Sequence, residues 1–308
     1  MKILIGSCGG LTGIYLARQY KKDNYLVGID NNYKSTGKFF VDDFVIVPSF
    51  REKDYIDRVT EILLKYKIDV FIPTHSEEIS IVSENKDKIE KIIKGKLLVC
   101  DIQTIRIFEN KLNAYIEVNK KGIRCPRIIY NDADIKQFPV LLKPKIGSGS
   151  CGIIKINTID EYNLYASNTS LFFTDYYDWD EYTVDCFFSR NFGLVDYYIR
   201  KRIKSIGGAV SITESAMEID ISREIRILEN EFAFIGPVNF QFFYQGGEKI
   251  FFDFNLRFAS GGLPLAVHSG LNIPNLLLQE SMGIIYDKNI NINLSKMPMY
   301  RYYEELFD

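Results

Sequence analysis

The sequence predicts a chain in two parts, a parallel α/β unit followed by an α+β unit built on antiparallel sheets. Three observations carry this reading. Up to about residue 105, short apolar runs alternate with helical patterns. Beyond it, strand-like runs follow one another with few helices between them. And 308 residues are enough for two packed domains, or for one domain with an inserted lobe.

In order, residues 2–5 read as a buried strand, followed by a glycine-rich turn and a helix over 14–21. Strands are expected over 26–29, 44–47, 70–72 and 97–100, the third ending at Pro48 and the fourth at Pro73. Ile56, Val59, Ile62 and Leu63 recur at helical spacing within 51–66, and a further helix starts near Glu78. Helical stretches over 104–121 stop at Gly122. Strands then dominate, over 126–129, 140–143, 153–156, 171–176, 181–188, 193–203, 232–244 and 249–255. Helices are expected near 160–166, 219–229 and 273–282.

Composition excludes several classes. Hydrophobic residues at 46% and charged residues at 25% are ordinary for a globular protein. Lys plus Arg is 38 against 40 for Asp plus Glu, so no basic excess points to nucleic acid or a membrane surface. The five cysteines are scattered without a C-x-x-C pair, and there are two histidines; free thiols in a reducing cytoplasm are expected, and no structural zinc site. The first six residues are too short an apolar run for a signal peptide, and no apolar stretch reaches the roughly 20 residues of a membrane span.

Four segments carry chemistry. Residues 6–13, Gly-Ser-Cys-Gly-Gly-Leu-Thr-Gly, join the first strand to the first helix, with Asp30 downstream. This is either a dinucleotide phosphate turn with its ribose acid or a structural turn that permits close packing. Lys143 ends a strand ahead of a small-residue loop containing Gly147, Ser148, Gly149, Ser150 and Gly152. Such a loop lets backbone N–H groups approach phosphate oxygens, with the lysine adding a point charge. Placed at a strand end beside a loop, Lys143 is expected to carry little packing. Third, alternation on the strand over 251–257 puts Asp253, Asn255 and Arg257 on one face and Phe252, Phe254 and Leu256 on the other. A carboxylate, an amide and a guanidinium in a row suit Mg²⁺ and a terminal phosphate. Fourth, His75, Ser76, Glu77 and Glu78 follow the fourth strand. Either His75 and Glu77 or Glu78 line a substrate pocket beyond the strand ends, or the segment forms a helix N-terminus capped by Ser76; the two readings are compatible. Arg200 and Arg202 share one face of another strand.

Together these residues resemble the ATP-grasp superfamily, in particular the branch of the carbamoyl-phosphate synthase large chain. The similarity runs over nearly the whole chain. It takes in Asn110-Lys111, Gly122, Pro126, the run from Pro139 to Pro144, and the loop from Gly147 to Gly152. It continues through Asp175-Tyr176-Tyr177, Glu181, the run from Gly236 to Gln241, Asp253-x-Asn255-x-Arg257, and the closing run from Met299 to Tyr302. Departures are Asp253 and Leu256 for the family's Glu and Pro, Trp179 for a glycine, Asn110 for an aspartate and Thr174 for a glutamate.

The resemblance implies a Rossmann-like domain over 1–105, a central lobe with the glycine-rich loop over 106–180, and a C-terminal ATP-grasp lobe over 181–308. It implies ATP and Mg²⁺. Lys111, Lys143 and the glycine-rich loop would hold phosphates; Asp175, Tyr176 and Tyr177 would form the adenine hinge, and Glu181 would hold the ribose. Gln241, Asp253 and Asn255 would hold the metal, with Arg257, Lys143 and Asn255 acting in catalysis. His75, Glu77, Arg200 and Arg202 would face the substrate.

The expected activity is ligation of a carboxylate to an amine or a thiol through an acyl phosphate, with release of ADP and phosphate. A nucleotide-binding regulator without turnover and an NAD-dependent oxidoreductase are the alternatives. Small-molecule carboxylate and amine partners are expected, with no nucleic acid or membrane, and a homodimer is compatible. The metal reading requires Gln241 opposite Asp253. Gly246-Gly247 as a two-residue turn would instead set Gln241 opposite Phe252. The simple two-residue hairpin is therefore expected to be absent, its place taken by an odd-length connection or a bulge.

Overall fold

A computed structural model describes all residues except 148, 150 and 287–289. Ile3, Leu4 and Ile5 of β1 (Lys2–Ile5) are fully buried, as a central parallel strand requires. α1 (Leu11–Tyr20) crosses to β2 (Tyr25–Asp30), and β3 (Asp43–Ile46), α2 (Tyr55–Tyr66), β4 (Val70–Ile72) and α3 (Ser76–Glu84) follow. The parallel sheet has the order β3-β2-β1-β4. Helix and sheet meet closely because Gly13 has no side chain; a Cβ there would lie 2.6 Å from the Cys8 backbone.

The expected fifth strand over 97–100 is absent, although the segment is buried. Its backbone groups are taken by side chains instead of a ladder. Glu90 accepts from the Leu97 N–H, Lys86 donates to the Val99 carbonyl and Ser83 to the Cys100 carbonyl. Burial without a sheet partner gives the same apolar pattern as a strand.

α4 (Lys86–Glu90) leads to α5 (Ile102–Glu109) and α6 (Lys111–Lys120), which are separated at Asn110. The Asn110 side chain caps α6 by accepting from the Asn113 N–H at 3.1 Å. β5 (Ile128–Ile129), β6 (Val140–Pro144), β7 (Ile154–Ile156), α7 (Ile159–Tyr165) and β8 (Leu171–Asp175) form a small lobe. Its antiparallel sheet, in the order β5-β8-β6-β7, closes over Ile129, Val140, Leu142, Ile156, Tyr162 and Phe173.

The larger lobe holds β9 (Asp180–Ser189), β10 (Gly193–Ile206), β11 (Ala209–Ser215), α8 (Ser222–Glu231), β12 (Gly236–Gln245), β13 (Glu248–Asn255), α9 (Leu263–His268), α10 (Ile273–Ser281) and β14 (Pro298–Tyr300). Six antiparallel strands run β13-β12-β9-β10-β11-β14. None of the five cysteines is in a disulfide. Among the described residues no helix is long and apolar enough to cross a membrane.

The hairpin β12–β13 meets its expectation through a bulge and not through an odd-length connection. The two-residue turn is present: Gln245 pairs with Glu248, and Gly246 and Gly247 both have positive φ, at 58° and 88°. Register is restored further along. Phe242 pairs with Phe251 but Gln241 pairs with Asp253, so Phe252 bulges out as the one extra residue.

Candidate active site

The bulge decides what the site contains. It sets Gln241 opposite Asp253 and keeps Asp253 and Asn255 on one face. Asp253 Oδ2 accepts from Asn255 Nδ2 at 2.8 Å and from Gln241 Nε2 at 3.3 Å. Its Oδ1 accepts from Lys111 Nζ. Burial pushes the Asp253 carboxyl up, but the Lys111 ammonium and the amide donors outweigh this and hold it below its ordinary range. The bulge also turns Phe252 toward the polar face. Phe252 lines the same cavity as Asp253, not the opposite face with Phe254 and Leu256 as strict alternation would have it.

Lys111 reaches Asp253 because α6 is anchored at its start. The Lys111 N–H donates to the Lys145 carbonyl at 2.7 Å, and Asn110 bridges to Ile146. One turn on, Tyr115 donates to the carbonyl of the bulged Phe252 at 2.7 Å and accepts from Lys143 Nζ at 2.8 Å. Lys143 is not the lightly packed residue expected from its place at a strand end. It is 3% exposed, and its ammonium stands 5.2 Å from the centre of the Tyr115 ring and 5.8 Å from that of Phe252. Burial, reinforced by Lys111, lowers its pKa from 10.5 to about 8.

Arg257 is held by three elements. Its Nε donates to Ser76 Oγ at 2.8 Å, its Nη1 to the Phe258 carbonyl and its Nη2 to Asn255 Oδ1. Arg200, 1% exposed, pairs with the buried Asp185 at 2.7 Å. Its Nη1 has no partner among the described residues. Arg202 pairs with Glu181 at 3.1 Å.

These groups line a cavity of about 290 Å³. Lys111, Lys143, Arg200, Arg202 and Arg257 line it against a single carboxylate among the described residues, Asp253. Gly147, Gly149 and Cys151 close one side, and Gly149 rests against Gly208 of the β10–β11 turn, where a Cβ would come within 2.8 Å. Ser148 and Ser150 lie outside the described residues, and Gly152 adjoins the loop with a φ of 75°. A second cavity, of about 110 Å³, shares Lys111, Gly147, Asp253 and Asn255 with the first and is bordered by His75 and Glu77.

The other sequence-derived residues stand apart. Arg127 holds Asp175 through two contacts of 2.6 and 3.0 Å, and Tyr176 donates to Asp178. Tyr177 stacks on Phe243. None of Asp175, Tyr176, Tyr177 and Glu181 lines either cavity. Glu77 is bound by Arg51 at 2.7 and 2.8 Å. His75, not Ser76, caps α3: its Nδ1 accepts from the Glu77 N–H. That frees the Ser76 hydroxyl for Arg257.

The first glycine-rich turn carries its own anions. The Gly9 N–H donates to Asp30 at 3.0 Å. Buried Glu78 packs against Gly6, where it accepts from Tyr55, the Thr74 N–H and Ser7. Carboxylates thus stand where a dinucleotide phosphate would be expected, so the turn is structural.

Sequence reasoning missed Ser76, Tyr115 and Phe252. Tyr115 had a signal, since it lies four residues after Lys111 on one helix face. Ser76 and Arg257 are 181 residues apart and had none.

An N-terminal parallel sheet, two antiparallel lobes and a cation-lined cleft between them define an ATP-grasp protein. Residues 167–300 match the family described as "ATP-grasp in the biosynthetic pathway with Ter operon", and residues 3–94 match the PylC-like N-terminal domain. Over those residues the chain matches an ATP-grasp family and a PylC-like N-terminal domain, and its fold is ATP-grasp-like. Among solved structures it is similar to N5-carboxyaminoimidazole synthetase from Staphylococcus aureus complexed with ADP. That match has a TM-score of 0.77 at 14% identity over 98% of this chain and 82% of the other. It is also similar to a biotin carboxylase–β,γ-ATP complex from Campylobacter jejuni, with a TM-score of 0.71 at 14% identity over 94% and 73%. A third is an L-amino acid ligase from Bacillus licheniformis, with a TM-score of 0.71 at 13% identity over 94% and 77%. No curated protein matches it significantly in sequence.

Proposed function

We propose that the chain is an ATP-dependent ligase that activates a carboxylate as an acyl phosphate and passes the acyl group to an amine or a thiol, releasing ADP and phosphate. One observation carries the reading: a cavity lined, among the described residues, by five cationic side chains and one carboxylate adjoins a second, smaller cavity, with four lining residues shared between them. Polyphosphate suits the first, and a substrate whose reacting end must meet that phosphate suits the second. Similarity to an L-amino acid ligase supports the bond type.

Lys143 and Arg257 have no carboxylate ion-pair partner among the described residues and would neutralise the transferred phosphoryl group. Lys111 would move from Asp253 to the nucleotide. Asp253, Asn255 and Gln241 fit Mg²⁺: one carboxylate and two amides suit an ion that takes its remaining ligands from phosphates and water. When bound, that ion would supply further charge neutralisation. Asp175, Tyr176, Tyr177 and Glu181 would form the adenine and ribose end when the lobes close. His75 and Glu77 would border the substrate, with Arg200 and Arg202 toward its phosphate side.

The Lys111–Asp253 contact favours one rival, a regulator that binds nucleotide without turnover. Two measurements separate the readings. ATP-Mg²⁺ at a hundredfold excess over its Kd should stabilise the fold by about 2.7 kcal/mol, and NAD should not. Phosphate release across pairs of carboxylates and amines, with ADP as the nucleotide product, marks the ligase. ATP binding with no release for any pair marks the regulator, and AMP with pyrophosphate overturns the acyl-phosphate route.

A further inference from the structure

The smaller cavity has a chemistry of its own. Its walls are Ile79, Ile105, Phe108, Ile146, Phe254 and Leu256, drawn from α3, α5, β13 and the residues next to the glycine-rich loop. Ile79, Ile105, Phe108 and Phe254 are buried and fix its shape, whereas Ile146 is 66% exposed and would gain cover from an apolar ligand. At about 110 Å³ it is smaller than the roughly 150 Å³ cavity that takes benzene, so it favours a branched group of three or four carbons over an aromatic ring.

Its charges select further. Glu77 is neutralised by Arg51, and Lys111 is engaged by Asp253 or, once it has moved, by the nucleotide. Burial lowers the His75 pKa, which favours the neutral ring. Glu109, bonded only to the Ser80 hydroxyl, is the one bordering carboxylate without an ion pair among the described residues. No cation is free there for a second carboxylate, while Glu109 tolerates an ammonium.

We propose that the acid activated here is a small aliphatic monocarboxylate, such as an amino acid with a branched side chain of valine or leucine size. Its apolar body lies in the small cavity and its carboxylate at the seam formed by Lys111, Asp253 and Asn255. This rests on the acyl-phosphate reading above. A carboxylate oxygen attacks the γ-phosphorus, the bond to ADP breaks, and an acyl phosphate forms. Hydroxylamine can trap it: nitrogen attacks the acyl carbon, phosphate leaves, one proton is released and a hydroxamate remains.

The test measures hydroxamate and ADP with ATP-Mg²⁺ and hydroxylamine against valine, leucine, isovalerate, alanine, glutamate, phenylalanine and bicarbonate. Because a methylene matched in an apolar pocket is worth about tenfold or more, leucine or valine should exceed alanine, glutamate and phenylalanine at least tenfold in kcat/KM. Ile146→Asp, at an exposed position that should not disturb folding, should lower that value about tenfold while ATP-Mg²⁺ still raises the Tm. Preference for glutamate, phenylalanine or bicarbonate overturns the proposal while sparing the acyl-phosphate reading. If no acid gives ADP, that reading fails on its own terms. The cavity is then judged by binding: aliphatic acids should raise the Tm in the presence of a non-hydrolysable ATP analogue, and their failure to do so overturns the assignment.

Discussion

Replacing Lys143 with methionine should make the free protein more stable while weakening its hold on ATP. The residue is 3% exposed, has no carboxylate ion-pair partner among the described residues, and has its pKa lowered by burial from 10.5 to about 8. Below pH 8 it is charged in both folded and unfolded chains, and the folded state bears the full desolvation cost. Between 8 and 10.5 the unfolded chain holds more protons, so stability rises with pH across that window and levels off above it. The drop from 10.5 to about 8 corresponds to about 3 kcal/mol at pH 7. Lost contacts with the Tyr115 and Phe252 rings return about 0.5–1 kcal/mol each.

Methionine fills the same slot, and Tyr115 keeps its bond to the Phe252 carbonyl. The net gain should be about 1–2 kcal/mol at pH 7, a rise of a few °C in Tm. Loss of a charge-assisted contact should weaken ATP by about ten- to hundredfold. Chemical denaturation of both proteins at pH 7 and 9.5, with and without ATP-Mg²⁺, checks this. The difference between the two proteins, which cancels the other titrating groups, should shrink as pH rises. A variant less stable than wild type at pH 7, with a difference that does not move with pH, would refute the reasoning.

Three further outcomes follow from the same geometry. Asp253→Asn releases Lys111 and removes the one carboxylate of the cavity; ADP formation should fall at least about hundredfold, while titration calorimetry shows ATP affinity within about tenfold of wild type. Ser76→Ala should lower kcat about tenfold at unchanged KM for ATP, with Ser76→Thr restoring it; an unchanged kcat would show that the bond to Arg257 does not position it. Gly6→Ala would set a Cβ 2.0 Å from Glu78 Oε1. Denaturant titration should show a loss of about 2 kcal/mol or more, and tolerance of alanine there would mean the buried carboxylate is free to move.

Much of the architecture is readable from apolar periodicity because most of the apolar runs are also ladder partners. The segment 97–100 shows where that fails: its pattern reports burial, but side chains from α3 and α4 satisfy its backbone. β11 was not read as a strand although Val210 and Ile212 alternate with Ser211 and Thr213, because only two large apolar residues carry the pattern. Within the site, residue type and alternation place Asp253 and Asn255 on one face. They do not predict that Phe252 joins it, because a bulge depends on the turn and on Tyr115 from another element. The burial of Lys143 was equally hidden, since two of its neighbours, Tyr115 and Phe252, come from distant parts of the chain.

The bulge at Phe252 also separates the tip of its hairpin from the chemistry. Everything between Phe242 and Phe251 lies beyond it, and the Phe252 carbonyl is pinned from outside by Tyr115. At the tip, Gly246 and Gly247 have no heavy atom within 4 Å of where a Cβ would stand. Residues added between them lengthen the loop without shifting the pairs behind it, so this turn is a natural graft point for a reporter or an affinity loop. Deleting Phe252 gives the complementary result: a straight hairpin that still sets Gln241 opposite Asp253 but leaves the Tyr115 hydroxyl and the Lys143 ammonium without the ring and carbonyl they rest on. The loop can therefore be lengthened without disturbing the Gln241–Asp253 pairing, while the support of the lysine is changed by a single residue.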